Sequence, residues 1–105
     1  NNVFKVIDVH EAKSMIDTQD VQIIDSREVD EHESGHVPDS INIPHMETFN
    51  RISEIDTDKP VLFICKAGQR SAVAAEFAFA AGLTNELYNV DGGHDAWEES
   101  GYPMS

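Results

Sequence analysis

Cysteine is nearly absent from this chain, occurring once, at Cys65. An internal disulfide, a thiol pair and a multi-cysteine zinc site are thereby excluded, and any redox step needs a thiol from outside the molecule. Basic residues are scarce too, 7 Lys and Arg against 20 Asp and Glu, for a formal charge of -13. Such a surface repels phosphate backbones and anionic headgroups, so neither nucleic acid nor a membrane is a fitting partner. No apolar run approaches the ~20 residues that cross a bilayer. Asn1 to Asp8 lack the basic stretch and apolar core of a secretory signal. A cytoplasmic location is the simplest expectation.

What is present fits one folded unit. A length of 105 residues suits a single domain over residues 1–105, and an apolar fraction of 40% is enough to build its core. Short apolar runs alternate with helical patterns, the signature of an α/β domain with a mainly parallel sheet. Phe4 to Ile7 reads as a strand. Asp8 followed by Glu11 resembles a capping box opening a helix through about Ile16, and Val21, Ile23 and Ile24 form a strand ending at Asp25.

Val29 to Ser34 is an acidic helix stopped by Gly35, and Ser40 to Ile43 a short extended run between Pro38 and Pro44. Met46, Phe49, Ile52 and Ile55 fall near one face of a helix over Met46 to Ile55. Val61 to Ile64 is the pattern of a strand covered on both faces. A helix from about Arg70 to Ala81 follows, with Val73, Phe77 and Ala81 on one face and Ala74 and Ala78 on another. With Glu76 the only charge after Arg70, it should be largely buried. Leu87 to Val90 is a last strand, and Asp91-Gly92-Gly93 turns into a helix holding Ala96 and Trp97.

Chemistry concentrates at Cys65-Lys66-Ala67-Gly68-Gln69-Arg70-Ser71, a strand end, a short loop and a helix start. The first N–H groups of a helix have no internal partner, and the aligned peptide dipoles place positive potential there. A loop wrapped around the sulfur aims further N–H groups at it, Gly68 admits a backbone conformation closed to other residues, and Ala67 leaves the mouth open. This setting should depress the thiol pKa and make the thiolate abundant near neutral pH. Such a thiolate can attack the outer sulfur of a donor and hold it as a persulfide. Lys66 and Arg70 add positive charge toward an anionic donor. Equally, Cys65 could be a small apolar residue ending a core strand, with Lys66, Gln69 and Arg70 decorating an ordinary turn.

The wider sequence bears on that choice. The loop resembles the active-site pattern of the rhodanese-homology family: Cys, two residues, Gly, one residue, Arg, Ser. Ile24-Asp25-Ser26-Arg27, Gly35 to Pro44, and Asp91-Gly92-Gly93-His94-Asp95-Ala96-Trp97 with Gly101 and Pro103 are similar to its other landmarks. The resemblance covers nearly the whole chain. It implies a rhodanese-like α/β fold, a five-stranded parallel sheet with helices on both faces. It also implies a sulfurtransferase of the thiosulfate type: Cys65 as the catalytic nucleophile, Lys66, Ala67, Gly68, Gln69, Arg70 and Ser71 as the substrate cradle, and no cofactor or metal. The donor would be a small anionic sulfane compound and the acceptor cyanide, a thiol or a thioredoxin-like protein. Lys66 departs from the Arg often found at its position, and an ammonium cannot make a guanidinium's bidentate contact.

Other residues invite plainer roles. Asp25 is expected to brace neighbouring loops, Arg27 to pair with an acid, and His36 to anchor by hydrogen bonding. His32 and His36 have metal-like spacing, but Gly35 interrupts a shared helix. Trp97 reads as a core or pocket-edge aromatic, and Glu28, Asp30, Glu31 and Glu33 as a solvated helix face or a surface for a basic partner. Two competing functions remain: a cysteine phosphatase or arsenate reductase on the same fold, and a non-enzymatic binding module. The intact cysteine loop disfavours the module. Four residues separate Cys65 from Arg70; phosphatases of this chemistry have one more, because a phosphate needs a wider ring of donors.

Overall fold

A computed structural model describes residues 3–105. Five strands, β1 (Lys5–Ile7), β2 (Gln22–Asp25), β3 (Ile41–Asn42), β4 (Val61–Ile64) and β5 (Leu87–Val90), form one parallel sheet in the order β1-β5-β4-β2-β3. The helices are α1 (Val9–Thr18), α2 (Val29–Ser34), α3 (Gln69–Ala80) and α4 (Gly93–Glu99). The rhodanese-like five-stranded parallel sheet expected from the sequence is the one found. Asp8 caps α1, its Oδ1 accepting the Glu11 N–H at 2.8 Å.

Strand alternation divides the core into two layers. Ile24, Val61, Phe63 and Leu87 face α3 and its Ala74, Ala75 and Ala78. Ile7, Ile23, Leu62, Ile64 and Val90 face the other way, against Val9 and Ala12 of α1 and Trp97 of α4. Central β4 is buried along its whole length, which is why it reads as an unbroken apolar run. Asp25 pairs with Ile64 in the β2–β4 ladder. The chemistry-bearing ends of these strands therefore lie side by side, at the carboxyl edge where open α/β sheets place ligands.

Two expectations are corrected. The segment Met46–Ile55 is not a helix but carries two 3-10 turns, His45–Glu47 and Ile52–Glu54. Its anchors are wholly buried Thr48, whose hydroxyl donates to the His45 carbonyl, and buried Ile55, while Met46 and Phe49 are 67% and 52% exposed. The Thr hydroxyl bonding back along the chain competes with α-helical continuation. Helix α3 is half-buried rather than largely buried: Ser71, Ala74, Ala75 and Ala78 form its inner face, and Val73 and Phe79 are exposed. Small side chains let it lie close on the sheet, so one stripe is covered and the opposite one meets solvent. No helix among the described residues is long and apolar enough to cross a membrane.

Candidate active site

Buried Cys65 immediately follows β4, and Gly68, with a left-handed φ of 116°, caps α3. That conformation turns the chain back over the sulfur. The Gly68 N–H then donates to the Cys65 Sγ at 3.1 Å, and the Ser71 Oγ lies 3.2 Å from the same sulfur. Burial by itself would push the thiol pKa up. The Ser71 hydroxyl and the N–H groups of Ser71, Gly68 and Ala67 overcome that penalty and hold it below the ordinary value. The cradle is thus built mainly from neutral donors.

The two cations beside the sulfur are already committed. Lys66 Nζ pairs with both carboxylate oxygens of Asp95 at 2.8 and 3.0 Å, well out in solvent. Arg70 makes a bidentate pair with Glu31 of α2 at 2.6 and 3.0 Å. Glu31, expected on a solvated face, is instead half-buried, and the Arg70 hydrogen bonds are the chief reason its carboxyl is lowered to about 2. Sequence spacing cannot reveal this pair, because its partners are far apart along the chain. Among the remaining loop residues, Ala67 and Gln69 are exposed, Gly68 is half-buried and Ser71 is buried.

A second layer of polar contacts holds the loop from below. Asp25, fully buried, accepts from the Arg27 backbone N–H and from Nε and Nη2 of its guanidinium, and pairs with His32 Nδ1 at 2.8 Å. Burial opposes the Asp25 carboxylate, but these bonds leave its pKa lowered. Arg27 in turn donates to the Gly35 carbonyl at 2.6 Å and to His94 Nε2 at 3.2 Å. The His94 Nε2 also accepts the Val37 N–H at 3.3 Å. Both neighbours are donors only, so this nitrogen is unprotonated, and the proton sits on Nδ1, which donates to the Cys65 carbonyl at 2.9 Å.

Gly93 makes that docking sterically possible. A Cβ there would lie 2.4 Å from the Cys65 carbonyl oxygen and 2.5 Å from that of Lys66. Without one, the His94 and Asp95 N–H groups reach the same two carbonyls at 2.8 and 3.0 Å. The bracing expected of Asp25 and the acid partner expected of Arg27 are both present, and they are partners of each other. His36 Nδ1 bonds the His32 carbonyl at 2.8 Å, and the two imidazoles stack with centroids 3.9 Å apart. Trp97 packs in the core and donates to the Pro103 carbonyl.

Two residues at the site have contacts that the sequence does not signal. His94 belongs to the Gly92-Gly93-His94 landmark, which gives no sign of its contact with the Cys65 carbonyl. Asn89, 6% exposed, was visible only as a polar interruption of an apolar strand; its Oδ1 lies 2.5 Å from Ser71 Oγ, and its Nδ2 donates to the Gly68 carbonyl at 3.0 Å.

Parallel sheet, strand-end cysteine and N–H-lined loop together define an α/β domain with a thiolate-stabilising cradle. A family model described as "Rhodanese-like domain" matches residues 8–100. The thiosulfate sulfurtransferase GlpE of Pseudomonas syringae pv. syringae is 33% identical over 101 residues, covering 96% of this chain and 92% of its own. GlpE of Shewanella oneidensis is 30% identical over 97 residues, covering 92% of this chain and 95% of its own. The crystal structure of a rhodanese-related protein from Thermoplasma volcanium has a TM-score of 0.83 and 32% identity, covering 97% of this chain and 98% of that one. The chain belongs to the rhodanese-like domain family.

Proposed function

We propose that this protein is a sulfurtransferase that moves sulfane sulfur from thiosulfate, or a related anionic donor, to a thiol or cyanide through a persulfide on Cys65. The observation that carries this reading is the pair of donors on the sulfur, the Gly68 N–H and the Ser71 hydroxyl, which favour the thiolate although the residue is buried. In the first half-reaction the thiolate attacks the outer sulfur of thiosulfate. A bond forms from Sγ to that sulfur, the donor's S–S bond breaks, and its electron pair leaves on sulfite. The negative charge then rests on the terminal sulfur, beside the loop whose Gly68 N–H donates to Sγ.

In the second half-reaction an acceptor nucleophile attacks the terminal sulfur and returns the thiolate. With a single cysteine in the chain, transfer to a protein acceptor is intermolecular, and a small thiol or a thioredoxin-like partner supplies the needed nucleophile. A thiol that must stay reduced suits the cytoplasm. The phosphatase reading is disfavoured by loop length, and also because the Arg70 guanidinium is occupied by Glu31. Incubation with thiosulfate should add one sulfur atom to the protein mass, and cyanide should remove it as thiocyanate. Cys65→Ser should do neither; substantial thiocyanate production by that variant would rule Cys65 out as the carrier.

A further inference from the structure

Four hydrogen-bonding contacts close a ring around the nucleophile. The Gly68 N–H donates to Cys65 Sγ, the Asn89 Nδ2 donates to the Gly68 carbonyl, and Ser71 Oγ lies 2.5 Å from Asn89 Oδ1 and 3.2 Å from Sγ. The Gly68 carbonyl can only accept, so it fixes the amide with Nδ2 toward the loop and Oδ1 toward Ser71. Asn89 belongs to β5, where it pairs with Phe63 of β4. The ring therefore ties the loop after β4 to the sheet.

Ser71 carries one hydroxyl hydrogen, and in the thiolate state two acceptors face it. While Cys65 is a thiol, its S–H donates to Ser71 Oγ and the hydroxyl donates to Asn89, so every group is satisfied. Once the thiolate forms, turning the hydroxyl to the sulfur strips the buried Asn89 Oδ1 of its donor, and leaving it there strips the sulfur of one of its own. In the persulfide, Sγ is a neutral divalent sulfur and a weak acceptor, and the charge has moved to the outer atom. The hydroxyl then returns to Asn89 without loss.

We propose that Asn89 is a positioning residue acting through Ser71: it contests the Ser71 hydroxyl with the Cys65 thiolate, and so favours the sulfur-loaded form of the site over the free thiolate. This rests on the sulfurtransferase reading for its consequence but not for its test. The Ser71 proton stays on oxygen throughout, and only its hydrogen bond changes direction. The titratable and charged groups around the ring are Arg70 with Glu31, Lys66 with Asp95, neutral His94 at the Cys65 carbonyl, and Asp91, whose Oδ1 lies beside Gly68. All of them remain in the variants compared below.

Alkylation of the thiol by iodoacetamide as a function of pH, with no sulfur donor present, reads the thiolate directly. Asn89→Leu should lower the midpoint by about half a unit, because the hydroxyl is released wholly to sulfur. In a Ser71→Ala background the same substitution should give no such drop. A midpoint unchanged or raised by Asn89→Leu, or an equal drop in both backgrounds, overturns the proposal. Should Asn89→Leu unfold, the unsubstituted protein decides: the carbon-13 resonance of the Asn89 side-chain carbonyl should step at the alkylation midpoint, and a flat titration overturns the proposal. At a fixed thiosulfate-to-sulfite ratio, Asn89→Leu should also show about a threefold lower ratio of persulfide to free thiolate, as half a unit requires. Absence of persulfide in the parent itself would sink the sulfurtransferase reading while leaving the alkylation result intact.

Discussion

His94 binds the Cys65 carbonyl oxygen twice, through its backbone N–H at 2.8 Å and its ring Nδ1–H at 2.9 Å. The ring's other nitrogen accepts from Arg27 and Val37. One buried neutral imidazole thus joins the end of β2, the loop before β3 and Cys65. His94→Phe keeps a planar ring, somewhat larger, but leaves the Arg27 and Val37 donors without this acceptor. It should destabilise the protein by roughly 2 kcal/mol at pH 7, measured by urea denaturation.

Acid sensitivity follows from the same network. Burial, outweighing the bond to Cys65 and the attraction of Asp25, holds the His94 pKa below its ordinary 6.5. As pH falls below that value the unfolded chain gains its proton first, so stability drops. Asp25 acts lower on the scale: its folded pKa lies below the ordinary 3.8, so its contribution is complete above that value and is lost as pH falls through the folded one. Stability should therefore decline below about pH 6.5 and again below about pH 4. His94→Phe should flatten the first decline. An unchanged pH dependence between 5 and 7 in that variant would contradict the assignment of a neutral folded His94.

The Arg70–Glu31 pair predicts opposite effects from its two halves. Glu31→Gln frees the guanidinium beside the thiolate and should lower KM for thiosulfate about threefold, equivalent to ~0.7 kcal/mol. Arg70→Ala leaves the Glu31 carboxylate facing the anion path and should raise KM by a similar factor, with kcat changed less. Steady-state thiocyanate formation checks both. Equal kinetics in all three proteins would confine the pair to holding α2 against α3.

Gly93 and Gly101 both have a left-handed φ, 53° and 75°, but only Gly93 has neighbours in the way of a Cβ. Gly101→Ala should carry only the conformational penalty, about 1 kcal/mol, and leave activity alone. Gly93→Ala must also push α4 off the Cys65 and Lys66 carbonyls, so it should cost at least ~2 kcal/mol and reduce kcat/KM sharply. Thermal melts and the thiocyanate assay on the pair test this; equal effects would mean that the contact is not needed.

Loop length gives the last test. With four residues between Cys65 and Arg70, the ring should admit the outer sulfur of a persulfide but hold a phosphorus too far from Sγ. A misplacement of about 1 Å suppresses turnover strongly. Aryl phosphate hydrolysis and arsenate reduction should be negligible, and inserting one residue between Gly68 and Arg70 should abolish sulfur transfer and open phosphatase activity. Comparable turnover of an aryl phosphate and thiosulfate by the unmodified protein would overturn the proposed function.

Sequence alone makes the layered α/β plan, the parallel sheet and the position of the cysteine loop legible. Those features follow from local rules: Val61–Ile64 is apolar throughout because both faces of β4 are covered, and Gly68 sits where the chain must turn over the sulfur. It misled at Met46–Ile55, where the apolar spacing suited a helix but buried Thr48 anchors the segment instead. Legible only in the fold are contacts between residues remote along the chain: Arg70 neutralised by Glu31, His94 on the Cys65 carbonyl, and Asn89 facing Ser71. Periodicity reports which side of an element is covered and a motif reports which groups are near one another in sequence. The partner that takes each hydrogen bond is set by how the strand ends are brought together, and that is where the charge and reactivity of Cys65 are tuned.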